Sequence, residues 1–103
     1  DFWAVYNINI NGENVRIFLN SWSDTGDIIN AFRDIYKENQ KEGYNILITA
    51  IRSKNNPRLH EWTKEVYNKE LPKIEEFVLD LDTHPQDAEY WLGIFISIFN
   101  SLI

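Results

Sequence analysis

The chain has 103 residues and a formal net charge of -6, from 16 acids and 10 bases, and it is 44% hydrophobic and 15% aromatic. That length suits a single globular domain over residues 1–103, with enough chain to build a core. The absence of Cys excludes a disulfide scaffold, a thiolate metal site and a Cys nucleophile, while two His and four scattered Gly leave no His-rich metal centre and no phosphate-cradling loop.

The first predicted element is a β-hairpin. Phe2 to Ile10 reads as a strand, Asn11-Gly12 as a type I′ turn, and Val15 to Trp22 as the returning strand. A two-residue turn pairs Ile8 with Val15, Tyr6 with Ile17, and Ala4 with Leu19. These six then share one face with Phe2, and Trp3, Val5, Asn7, Asn9, Asn14, Arg16, Phe18, Asn20 and Trp22 share the other. The first set is the more apolar, so it is expected to be the buried face, with the next helix against it.

That helix starts after Ser23 or Asp24, either of which can cap it, and Asp27 suits its first turn. Ile28, Phe32 and Ile35 form its stripe, widened by Ile29, Ala31 and Tyr36, and Gly43 supplies a left-handed stop. Tyr44 to Ile51 is β-branched and nearly all apolar, which reads as an interior strand covered on both faces. Asn56-Pro57 opens a second helix, with Leu59, Trp62 and Val66 inward, Tyr67 beside them, and a break near Leu71 before Pro72. Over residues 74–82 the stripe Ile74, Phe77, Val78 and Leu81 favours helix. The alternation of Phe77, Leu79 and Leu81 keeps an edge strand as the alternative. Thr83 with Gln86 resembles a capping box for a last helix, apolar nearly all round from Tyr90 and expected to be buried. The expected fold is α+β: an antiparallel hairpin plus a third strand in a small sheet, packed by three to four helices in the order ββαβαα(α).

Several short motifs tempt an enzymatic reading. Asp24-Thr25-Gly26 is the triplet of aspartic proteases, but Ser23 precedes it and a helix follows, so a helix cap is the better reading. Asp80, Asp82 and His84 lie close in sequence but lack the glycine turn and ligand number of a calcium loop. His60-Glu61 lacks the second His of a zincin motif, and Ser21 and Ser23 lack a nucleophile elbow. No catalytic set, metal site or cofactor site is expected.

Charge is distributed one-sidedly. Residues 1–73 hold ten acids and ten bases, whereas residues 74–103 hold six acids and no Lys or Arg. Those acids, Glu75, Glu76, Asp80, Asp82, Asp87 and Glu89, are bordered by Phe77, Tyr90 and Trp91. Such a field steers a basic partner, and aromatic anchors beside it supply contact area. The predicted partner-binding residues are these six acids with Tyr90 and Trp91. A second candidate is Trp3, Arg16, Phe18 and Trp22 on the hairpin's other face.

The expected function is a small acidic protein-binding inhibitor, most simply an immunity protein that neutralises a basic bacterial toxin such as a nuclease. Alternatives are a phage-encoded nucleic-acid mimic, a small ligand-binding or enzymatic domain, or an assembly subunit that dimerises through its apolar last helix. Direct nucleic-acid binding is not expected of an acidic chain. Residues 1–6 show no secretory signal, and the apolar run from Tyr90 to Ile103 falls short of the about 20 residues of a spanning helix. A cytoplasmic location is therefore expected.

Overall fold

The computed structural model describes residues 2–73, 75–83 and 87–102. Its elements run β1 (Trp3–Ile10), β2 (Glu13–Asn20), α1 (Gly26–Asn39), β3 (Ile46–Thr49), α2 (Pro57–Tyr67) and α3 (Ala88–Leu102), with 3-10 turns at Asn68–Lys73 and Leu81–Thr83. Among the described residues this is the α+β order ββαβαα, with three strands in one sheet and three α-helices. The chain divides into two compact units, Asp1–Glu70 and Leu71–Ile103.

In the first unit the hairpin has the expected register. Ala4 pairs with Leu19, Tyr6 with Ile17, Ile8 with Val15, and Ile10 with Glu13. Asn11 and Gly12 both have positive φ, 53° and 87°, as a type I′ turn demands. β3 lies parallel to β2, pairing Ile17 with Ile46 and Asn20 with Thr49, and α1 supplies the crossover. The sheet order is β1-β2-β3, so β3 is a short edge strand with half-buried residues, not an interior strand covered on both faces.

The division of hairpin residues between two faces holds, but α1 covers the opposite face from the one expected. Phe18 is 1% exposed and meets Phe32 and Tyr36 of α1 at centroid distances of 6.0 and 6.2 Å. Tyr6 and Ile8, on the face expected to be buried, are 51% and 40% exposed. Polar residues on the covered face are only partly satisfied: Asn20 Oδ1 and Arg16 Nε are buried without a hydrogen bond among the described residues, while their other polar atoms find partners. Asn20 donates to Trp22 O and Thr49 Oγ1, each at 3.0 Å, and Arg16 pairs with Glu42 and donates to Asn39 Oδ1. Ile17 is buried as well, in the central strand between β1 and β3.

The helices also shift slightly from their expected faces. The α1 cap is Thr25, whose Oγ1 accepts from Ile28 N, and neither Ser23 nor Asp24 fills that role. Its buried stripe is Ile29, Phe32 and Tyr36. Gly43, with φ 72°, closes the end by donating to Asn39 O at 3.2 Å. In α2 the buried residues are His60, Thr63 and Tyr67, with Leu59, Trp62 and Val66 half-buried. Burial of the two polar residues follows from local bonds. His60 Nδ1 donates to Arg52 O at 2.7 Å, and Thr63 Oγ1 donates to Leu59 O at 2.9 Å. Pro57 starts α2 as expected, and the helix passes into 3-10 turns at Asn68, ahead of Pro72.

In the second unit, residues 75–80 are neither helix nor strand. Asp87, not Thr83, caps α3: its Oδ1 accepts from Tyr90 N at 2.9 Å. Thr83 instead closes a 3-10 turn, donating through Oγ1 to Asp80 O at 2.8 Å. His84 and Gln86, and with them the expected capping box, lie outside the described residues. Ile74 does too, so the apolar stripe drawn through it is not described at that end. The described part of α3 has no buried residue, contrary to the expected buried helix. No helix is long and apolar enough to cross a membrane among the described residues.

Candidate functional site

The acidic segment offers its charges on irregular chain and on the first turn of α3. Glu75, Glu76, Asp80, Asp87 and Glu89 are all exposed, and Asp82 lies in the turn Leu81–Thr83. Asp87 and Glu89 sit at the N-terminal end of α3, where carboxylates also favour the helix dipole. These two acids therefore have a structural reason to be present at a helix end, whereas Glu75 sits on irregular chain.

Apolar side chains interrupt the acids. Phe77, Val78 and Leu81 are 49%, 63% and 55% exposed. Tyr90 is exposed and Trp91 half-buried, and their rings meet edge to face at 5.0 Å. Along α3 the exposed positions Leu92, Gly93, Ile96 and Ser97 recur at helical spacing, opposite the half-buried Ile94, Phe95, Ile98 and Phe99. The helix thus has one partly covered stripe and one open apolar stripe. The open stripe could not be predicted from sequence, because a helix apolar all round gives no sign of which side is left uncovered.

The second predicted patch divides between core and surface. Phe18 belongs to the core, and Arg16, largely covered, is engaged by Glu42 and Asn39. Trp3 stacks on Phe18 with centroids 6.4 Å apart, and Trp22 stacks on Phe2 at the same distance. Only the two tryptophans keep substantial exposure.

Two shallow depressions, about 570 and 440 Å³, flank Trp62 on the first unit, lined by Arg58 with Pro57, Glu61 and Glu65 on one side and Thr25, Gly26 and Asp27 on the other. Arg58 lies over the Trp62 ring, 5.5 Å from its centroid. Thr25 Oγ1, the hydroxyl lining the second depression, is engaged as the α1 cap, accepting from Ile28 N. Asp24, the acid of the protease-like triplet, lies 3.5 Å from Arg52 Nη1 in an exposed ion pair. Among the described residues no cluster of three or more His, Asp or Glu has metal-holding geometry.

No protein-family model matches the chain, and neither the curated proteins nor the solved structures contain a significant match.

Proposed function

We propose that this chain is a protein-binding inhibitor whose second unit docks on a basic partner, in the manner of an immunity protein that blocks a toxin. The observation that carries the reading is the composition of the surface over residues 75–83 and 87–91. Five exposed carboxylate residues are interleaved there with the exposed side chains of Phe77, Val78, Leu81 and Tyr90. Carboxylates of one sign raise the encounter rate with a cationic surface, and desolvated aromatic and aliphatic groups supply the lasting contact. Surface acids that served solubility alone would not need large apolar neighbours left in water. The residues proposed to contact the partner are Glu75, Glu76, Asp80, Asp82, Asp87, Glu89, Tyr90 and Trp91, with Phe77 now added as an anchor.

The test is a kinetic one on the partner captured from the source cells. Glu75→Lys with Glu76→Lys should lower the association rate at least tenfold at about 20 mM salt, and the difference should shrink at about 300 mM as the field is screened. Phe77→Ala should instead speed dissociation, weakening affinity by about thirtyfold. A captured protein whose binding ignores all three substitutions is held elsewhere and removes the support for this reading.

A further inference from the structure

We propose that the free edge of β1 pairs with β1 of a second copy of this chain, antiparallel about a twofold axis at Tyr6, to join two three-stranded sheets into one. The inference does not depend on the acidic surface.

Backbone parity identifies which groups are free. Ser21 N donates to Phe2 O at 2.8 Å, so Phe2 and Ser21 form a hydrogen-bonded pair. In an antiparallel ladder such pairs alternate, so Ala4, Tyr6, Ile8 and Ile10 turn their N–H and C=O toward β2. Trp3, Val5, Asn7 and Asn9 then turn theirs outward. The far side of β2 agrees: Arg16 O and Asn20 O, opposite Asn7 and Trp3, accept from Asn45 N and Ala50 N on the β3 side. None of the outward groups of β1 bonds to a described residue.

Edges of this kind are usually blunted by shortness, by Lys or Pro, by a bulge or by a cover. β3, the other edge, is only four residues long. β1 has eight residues, an unbroken register, no Pro, and no charged residue from Phe2 to Gly12. In a chain of net charge -6 it is a strip that adds no like charge of its own to the contact between two copies.

The strand is complementary to itself in one register. With Tyr6 opposite Tyr6, Trp3 faces Asn9 and Val5 faces Asn7, so every outward residue meets an outward residue. Ala4 falls opposite Ile8, small against large, on the partly open apolar face. Sliding by two residues in either direction leaves Trp3 or Asn9 unpaired. One strand pair buries less than a standard interface, so self-affinity of about 10–100 µM is expected.

Sedimentation velocity from about 5 to 500 µM should show a monomer–dimer equilibrium. Asn7→Pro removes an N–H that has no partner within one copy, and it should weaken association at least tenfold while circular dichroism stays unchanged. The chain lacks Cys, so Tyr6→Cys offers a single thiol at a non-hydrogen-bonded pair, where Cα atoms approach to about 4.5 Å and a disulfide fits. Under mild oxidant that variant should form a covalent dimer much faster than Asn9→Cys, whose thiol would face Trp3. The crosslinking comparison stands even if Asn7→Pro fails to fold. A wild-type chain that stays monomeric over the whole range overturns the proposal. So does a dimer in which Tyr6→Cys links no faster than Asn9→Cys.

Discussion

Phe18 meets Trp3, Phe32 and Tyr36 at centroid separations between 6.0 and 6.4 Å, which makes it the common member of the aromatic cluster in the first unit. Phe18→Ala should cost about 3–5 kcal/mol in chemical denaturation, whereas Ile8→Ala, on the partly open face, should cost less than about 1 kcal/mol. Equal costs would mean that the assignment of faces is wrong. Gly26 is a second sensitive point. A Cβ there would lie 2.8 Å from the Trp62 ring, so the indole must tilt to admit it. Gly26→Ala should destabilise by about 1 kcal/mol or more, and the same change in a Trp62→Ala background should be close to neutral. Thr25→Ala should cost about 1 kcal/mol as a lost cap, with Asp24→Ala much milder, since Asp24 makes only an exposed ion pair.

At the scale of elements, much of the first unit could be read before any coordinates. Asn11-Gly12 specifies a turn, the turn specifies the register, and the register divides β1 and β2 into two sets of residues. Which set faces α1 could not be read in that way, because apolar content points to the wrong side. The covered side has one deeply buried ring, Phe18, between two hydrogen-bonded polar residues, Arg16 and Asn20. Tertiary partners satisfy the Asn20 amide nitrogen and the Arg16 Nη atoms, and leave Asn20 Oδ1 and Arg16 Nε buried without a hydrogen bond among the described residues. Hydrogen bonds also explain α2, where His60 and Thr63 are buried because backbone carbonyls of Arg52 and Leu59 accept from them.

The α1–β3 connection carries a pH consequence. Tyr36 and Tyr44 share a hydroxyl–hydroxyl hydrogen bond of 2.9 Å, and burial pushes both phenols above their usual value of 10.0. In the unfolded chain each ionises near its ordinary value, while the folded state holds the proton. Their contribution is therefore fully present below about pH 10 and is lost as pH rises above it. The unfolding midpoint should fall between about pH 10 and 12, and Tyr36→Phe with Tyr44→Phe should flatten that fall.

At the scale of the whole molecule, the charge division could be read by counting, and the structure adds which neighbours the acids have. Residues 1–73 are neutral overall, and the acids from Glu75 to Glu89 carry the net charge of -6. What counting could not reveal is that Phe77, Val78 and Leu81 stay exposed between them, since helical spacing alone does not say whether a stripe is covered. The most direct test of the proposed docking surface is parallel affinity capture from source-cell lysate with the wild-type chain and the Glu75→Lys, Glu76→Lys variant, at about 50 and 300 mM salt. A basic protein retained by the wild type at low salt and lost from the variant is the predicted result. Recovery of the same proteins in equal amount by both chains would contradict it.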